Sequence, residues 1–249
     1  LLNGPPFTYG HVVVDEAQEL SPMMWRLLAR RCPSLSMTVV GDLDQTAATA
    51  GAEDWGQALR DITRSRHRTE ERWRVERLTV NYRTPRPFMD LARDVLIACG
   101  REPAPVESIR DGEAAVILKT DAPGDVAALV AQVVGREDVG RAAIITAASL
   151  VDEVDVRVRE ALPDGIVGHG DDRLDATVSV LTVQQAKGLE FDAVFVVEPD
   201  LIDAEAARRG TDLYVALTRA TRSLTITYTG DYPRSLSRID HSAIASRTH

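Results

Sequence analysis

The stretch "HVVVDEAQEL", His11 to Leu20, sets three consecutive valines directly against two carboxylates. Three β-branched residues in a row favour an extended strand, and adjacent Asp and Glu resist burial unless they are paired. The strand is therefore predicted to deliver Asp15 and Glu16 to the edge of a sheet. Seven further runs read as strands: "SMTVVGD", "RLTV", "AAVILKT", "RAAIITA", "SVLTV", "DAVFVVE" and "SLTITYT". Helical periodicities lie between them. "SPMMWRLLARRC" opens with Ser21 as N-cap and Pro22 at the first helical position, and places Met24, Leu27 and Leu28 on one face. Other helices are predicted over Arg86–Cys99, Asp125–Val134, Leu150–Leu162 and Thr211–Ala220. Strands that alternate with helices of this length imply a parallel sheet covered on both faces, an α/β architecture.

Composition sets the bounds. A chain of 249 residues with 44% hydrophobic content can bury a sizeable core, in one large domain or two small ones. It has no long unbroken apolar run and no basic-then-apolar leader pattern, so neither a membrane span nor export is indicated, and a cytoplasmic setting is expected. Cys32 and Cys99 are too few for a disulfide framework or a four-ligand zinc site, and are expected to be buried thiols. A formal charge of −9 argues against a protein that coats nucleic acid nonspecifically, because that affinity comes from neutralising phosphates. The segment "RSRHRTEERWRVER", Arg64 to Arg77, interrupts the alternation with dense charge and reads either as a linker between two α/β units or as a solvated helix within one. Tyr232 to His249, rich in Ser and Arg, reads as a tail.

The carboxyl end of a parallel strand is where such sheets bind ligands. There Asp15 is suited to Mg²⁺, a hard cation that takes oxygen ligands, and Glu16 to orienting and deprotonating a water. In a nucleoside triphosphatase this would be the Walker B arrangement. Alone, the pair reads equally as acidic residues placed before a helix N-terminus. Its neighbours add to it. "VVGDLDQ", Val39 to Gln45, ends a second strand with a glycine, two carboxylates and a glutamine able to sense a γ-phosphate. "LTVNYRTP" then offers Asn81, Tyr82 and Arg83, "VLTVQQAKGLEFDAV" carries a loop with Gly188 and Glu190, and "DLYVALTRA" presents Arg219.

In this order the five stretches resemble motifs II to VI of the UvrD/Rep-type superfamily 1 helicases. The resemblance implies RecA-like parallel sheets with helices on both faces, ATP and Mg²⁺ as cofactors, and an ATP site between two motor units. Residues 1–73 would be the C-terminal part of the first motor domain, 74–231 the second motor domain, and 232–249 a tail. It assigns Asp15 to the metal and Glu16 to the attacking water. Gln18 and Gln45 would couple the γ-phosphate and water to the second unit, with Asp42 as their structural neighbour. Arg83 and Arg219 would be arginine fingers, whose fixed guanidinium charge stabilises phosphoryl transfer. Tyr82 would stack near the adenine, and Glu190, in the Gly188 loop, would bond the ribose. On the residues alone, Tyr82 as a core residue and Arg219 as a partner of Asp212 remain open.

The chain also departs from that family. It contains no G-x-x-x-x-G-K-[ST] loop; Lys119 follows Leu118 with no glycine loop, and Lys187 is followed by Gly188 and Leu189. The chain thus reads as a fragment beginning midway through the first motor domain, an ATP hydrolase only as part of an intact parent. Helicases of this family follow motif III with aromatic residues on which single-stranded bases stack. Here Thr46, Ala47 and Ala48 stand in that place, Trp55 comes later, and Gln184 replaces a histidine usual in motif V. The interval from Arg83 to Thr182 has room for one α/β layer and no large inserted domain. With the wording "VVVDEAQELSPMMWRLLARR" and "GLEFDAVFVVEP", these departures resemble the HelD-type branch, ATPases that bind RNA polymerase and help strip it from nucleic acid. A motor on single-stranded DNA is the alternative.

Overall fold

A computed structural model describes residues 7–46, 51, 54–63, 73–134, 136, 139–168, 176–237 and 244–246. The chain divides into two compact units, Leu1–Arg77 and Leu78–His249. Most of the charged segment expected to be a linker, residues 64–72, lies outside the described residues.

Unit 1 is built on two parallel strands, β1 (Val12–Val14) and β2 (Met37–Val39), joined through helix α1 (Pro22–Arg31). The helix starts where the sequence predicts: Ser21 is the N-cap, its hydroxyl accepts from the Met24 N–H at 3.4 Å, and Pro22 stands in the first turn. Arg30 and Arg31 lie in its last turn, where cations complement the helix dipole. Helix α2 (Trp55–Thr63), which sequence periodicity did not reveal, closes the unit. Val14, Ala17, Trp25 and Leu59 form a small core, with Trp55 and Trp73 packed against it.

Unit 2 holds the principal sheet. Its strands are β5 (Ala115–Lys119), β6 (Ala142–Thr146), β7 (Val178–Thr182), β8 (Phe191–Val197), β9 (Ala220–Tyr228) and β10 (Ile244–Ser246), all parallel, in the order β10-β5-β9-β8-β6-β7. Alternation along β8 shows why both faces are covered. Phe191, Val194 and Val196 enter one core with Phe88 and Leu91 of α3 (Arg86–Ala98) and Leu213 and Leu217 of α8 (Thr211–Leu217). Ala193, Phe195 and Val197 enter the other, with Val126 and Val130 of α4 (Val126–Val133) and Val154 and Val158 of α5 (Val151–Ala161). From Ala193 to Val197 side chains two residues apart share a face, so one apolar run feeds two cores, while a register shift between Phe191 and Ala193 lets Phe191 join the first.

Three short elements complete the unit: α6 (Val183–Ala186), α7 (Pro199–Glu205) and a two-stranded parallel pair of β3 (Val80–Asn81) with β4 (Glu107–Ser108). The stretch expected to be a tail is not a tail throughout. Leu236 is fully buried, the Asp200 carboxylate accepts the Arg234 and Ser235 N–H groups at 2.8 Å, and Ile244–Ser246 extends the sheet beside β5. Three residues are too few to show strand periodicity, which is why composition alone misreads this edge. Among the described residues no helix is long and apolar enough to cross a membrane. Cys32 is buried and Cys99 half-buried.

Candidate functional site

The expected site residues fall into two groups, one in each unit. In unit 1, Asp15 and Glu16 follow β1 directly. Glu16 sits in the left-handed region, φ 50 and ψ 37, and its N–H donates to Asp15 Oδ1 at 2.9 Å. That turn sends the chain into a short 3-10 helix, Ala17–Glu19, and buries Gln18 completely. Gln18 Nε2 donates to Glu16 Oε2 at 2.6 Å, and Gln18 Oε1 accepts the Asp42 N–H at 3.1 Å. Asp42 in turn accepts from the Asp44 N–H through Oδ1 and from Gln45 Nε2 through Oδ2, both at 2.9 Å. Glu16, Gln18, Asp42 and Gln45 are thus one hydrogen-bonded chain across the ends of the two parallel strands. Gly41 makes room for it, because a Cβ there would stand 2.5 Å from Gln18 Oε1 and 2.9 Å from the Trp55 ring. Trp55 is accordingly a packing residue beneath this network. Thr46 is buried, and Ala47 and Ala48 lie outside the described residues.

Asp15 is an exposed carboxylate at a strand end, with one oxygen engaged by the Glu16 N–H. Mg²⁺ is commonly held by one or two carboxylates together with phosphate oxygens and water, a role this donor fits. Among the described residues no group of three or more His, Cys, Asp or Glu forms an all-protein metal cage.

In unit 2, Asn81 builds the local structure. Its Oδ1 accepts the N–H groups of Arg83 and Thr84 at 2.8 and 3.2 Å, an Asx turn, while its Nδ2 donates to Ser108 Oγ at 3.2 Å. The turn projects Tyr82 and Arg83 outward. Tyr82 is 69% exposed, which removes the reading of it as a core residue. Arg83 Nε pairs with Glu190 at 2.6 Å, both side chains remaining partly exposed. Val80, Asn81, Tyr82, Arg83, Arg110, Glu190 and Thr221 line one open pocket of about 480 Å³. The adjacent Tyr82 and Arg83 are therefore brought together with Glu190, which is distant in sequence.

The Gly188 loop supplies Glu190. Thr182 and Gln185 form a reciprocal capping box at the start of α6, and Gly188 at φ 72 turns the chain out of it, a conformation that costs glycine little. Arg219 holds the loop from behind. It is 3% exposed, and its guanidinium donates to Val215 O at 3.1 Å, Leu189 O at 3.3 Å and Thr218 Oγ1 at 3.2 Å. Arg83 and Arg219, expected as a pair of similar groups, thus differ: one faces the pocket and the other is packed inside the unit. Sequence reading did not single out Arg110; the glycine it noted in "VVGDLDQ" is Gly41, whose role in close packing only the structure shows. Arg110 lies in the otherwise plain stretch "SIRDG", and only pairing of β4 with β3 brings it beside Arg83.

Residues 177–227 match the family described as UvrD-like helicase C-terminal domain. The fold agrees. Over 67% of this chain and 98% of the other, the fold is similar to that of the C-terminal domain of a possible DNA helicase from Lactobacillus plantarum WCFS1, with a TM-score of 0.53 and 22% identity. Two viral proteins, the PRRSV helicase and the Arterivirus helicase nonstructural protein 10, are each 16% identical, with TM-scores of 0.46 and 0.47; they are matched over 90% and 94% of this chain and 35% and 42% of their own. No curated protein sequence matches the chain. The parallel sheet flanked by helices is that of RecA-like helicase C-terminal domains, and residues 177–227, covering β7 to β9, carry the UvrD-like pattern.

Proposed function

We propose that the chain is part of an ATP-driven motor of the superfamily 1 type, with unit 2 as its second RecA-like domain. The observation that carries this reading is the pocket in which Tyr82, Arg83 and Glu190 meet. An exposed aromatic face, a guanidinium and a carboxylate acceptor are the groups that an adenine ring, a phosphate chain and ribose hydroxyls require. In unit 1, Asp15 would hold Mg²⁺, Glu16 would orient and deprotonate the attacking water, and Gln45 would sense the γ-phosphate. When bound, the metal neutralises charge on the phosphate oxygens. Gln18 and Asp42 keep Glu16 and Gln45 on one hydrogen-bonded chain, so that a shift at either end is felt at the other. Gly188 and Glu190 present the ribose contact. For Arg219 to act as a second arginine finger it must exchange its bonds to Val215, Leu189 and Thr218; in the present arrangement it fixes the Gly188 loop.

The proposed target is RNA polymerase, as in the HelD-type branch, rather than free single-stranded DNA. Two features support it: described residues between Arg83 and Thr182 build only the α/β layer and β4, and Trp55 packs against the unit 1 core beside Gly41 instead of offering a base platform. Photolabelling of the chain with an azido-adenine nucleotide should mark the peptide containing Tyr82; labelling confined to other peptides would remove the nucleotide reading. On the intact ATPase, a pull-down with RNA polymerase beside a strand-displacement assay separates the targets. Robust unwinding without polymerase binding would favour the DNA motor.

A further inference from the structure

We infer that Arg110 is a ligand-positioning residue of the unit 2 pocket, the guanidinium that receives an incoming polyphosphate while Arg83 is held by Glu190. The inference rests on the nucleotide reading of that pocket. Three observations lead to it. First, Arg110 Nη1 donates to the Arg83 carbonyl at 2.9 Å, so its side chain reaches back over the Tyr82–Arg83 turn. Second, its own carbonyl accepts the Arg86 N–H at 2.8 Å, which ties Arg110 to the start of α3 and fixes where that side chain begins. Third, it lines the same pocket as Arg83 and Glu190, and it is exposed.

The charges then sort themselves. Arg83 and Glu190 are 2.6 Å apart and largely cancel one another in the field that an approaching anion meets. Arg110 spends one N–H on a neutral carbonyl, keeps its full charge and lines the pocket. A polyphosphate would therefore engage Arg110 first. It would next compete with Glu190 for Arg83, and ribose hydroxyls, where present, would compensate the carboxylate for the lost partner. Arg110 also holds Arg83 at the backbone, so the turn keeps its place while the Arg83 side chain changes partners. The pocket is thus closed against anions by its own ion pair and opened through Arg110.

The test uses the isotopically labelled chain, titrated with inorganic tripolyphosphate and with ATP and followed by amide shifts of Tyr82, Arg83 and Glu190. Arg110→Met should weaken tripolyphosphate about tenfold, as loss of one charge-assisted contact implies, and Arg110→Lys should recover most of that loss. Glu190→Gln should tighten tripolyphosphate severalfold by releasing Arg83. In the double variant the penalty of Arg110→Met should shrink, because Arg83 is then available. That non-additivity is what a merely structural role for Arg110 would not produce. Should Arg110→Met fail to fold, Arg110→Gln carries the same expectations. Unchanged tripolyphosphate affinity on losing the Arg110 charge, or strictly additive effects with Glu190→Gln, overturns the inference while ATP binding at the pocket leaves the nucleotide reading standing. No shifts in the wild-type chain with either ligand overturn both.

Discussion

Unit 1 places Asp15 and Glu16 just after β1, while unit 2 places Tyr82 and Arg83 after β3 but Glu190 and Arg219 before β8 and β9, and the two units support these residues very differently. In unit 2, β8 is buried along nearly its whole length and lies between two cores. Among the described residues of unit 1 the parallel pair has strands of three residues each, and Val13, in the middle of β1, is 68% exposed. Parallel sheets ordinarily bury both faces. Among the described residues, unit 1 therefore has a core of four buried side chains, Val14, Ala17, Trp25 and Leu59, whereas unit 2 spreads its burial over two larger cores. The comparison teaches that placing chemistry-bearing residues at strand ends and building a large core around them are separate properties.

The sharpest way to break this contrast is at Trp25, fully buried at the centre of the unit 1 core. Trp25→Ala should cost about 3 to 5 kcal/mol, enough to unfold unit 1. Hydrogen exchange should show the amides of Val14 and Leu59 losing protection while those of Ile145 and Phe195 keep theirs. Loss of protection in both units would mean that they fold as one. Trp25→Phe is expected to be far milder, because the buried indole N–H has no hydrogen-bond partner among the described residues and its removal leaves no orphan.

Next in size is the contrast between the two arginines. Arg219→Ala strips donors from Val215 O, Leu189 O and Thr218 Oγ1 inside unit 2 and should cost roughly 2 to 4 kcal/mol in urea unfolding. Arg83→Ala removes a partly exposed ion pair and should cost less than about 1 kcal/mol. Equal costs would show that Arg83 is a structural residue. This difference marks a limit of sequence reading. The strand runs, the Ser21 cap, the starts of α3 and α8 and the parallel α/β architecture were all legible, because periodicity and capping chemistry are local. Burial of Arg219 was not, since "YVALTRA" shows an arginine at the end of an apolar run without showing which way it turns. The short elements α2, α6, α7, β4 and β10 also escaped, being too brief for a period or buried among neighbours that a linear reading cannot see. Of the candidate site, Tyr82, Arg83 and Glu190 were named from sequence; their meeting with Arg110 required the β3–β4 pairing.

Gly41 tests the unit 1 network at intermediate cost. A methyl group there would collide with Gln18 Oε1 and the Trp55 ring, so Gly41→Ala should destabilise unit 1 by about 1 to 3 kcal/mol and detach Gln18 from the Asp42 N–H. The Asp42 amide shift reports that detachment directly. A stable variant with the Asp42 signal unmoved would mean that Trp55 yields and the network does not depend on close approach at Gly41.

The smallest effect bears most directly on what the opening carboxylates are for. Both units end a strand with a left-handed glutamate, Glu16 at φ 50 after β1 and Glu198 at φ 55 after β8. Glycine relieves such a backbone at either place, a gain of about 1 kcal/mol. The carboxylates are spent differently. Glu198 accepts the Thr229 backbone N–H at 2.7 Å, linking the ends of β8 and β9, and the backbone donor cannot move to find a substitute. Glu16 accepts only the side-chain amide of Gln18 among its described side-chain contacts, at a position open to water. Glu198→Gly should therefore lose about as much as it gains, or slightly more, while Glu16→Gly, which takes an acceptor from the buried Gln18 amide but opens its Nε2 to water from the exposed side, should leave unit 1 within about 0.5 kcal/mol of the parent. Unit-resolved exchange in urea can compare the two. A glutamate that is kept where glycine is at least as stable is there for its carboxylate, which is the relation between strain and chemistry expected at a functional strand end. If Glu16→Gly instead costs unit 1 more than Glu198→Gly costs unit 2, the Glu16 carboxylate is holding the strand ends together and its assignment to a reacting water loses this support.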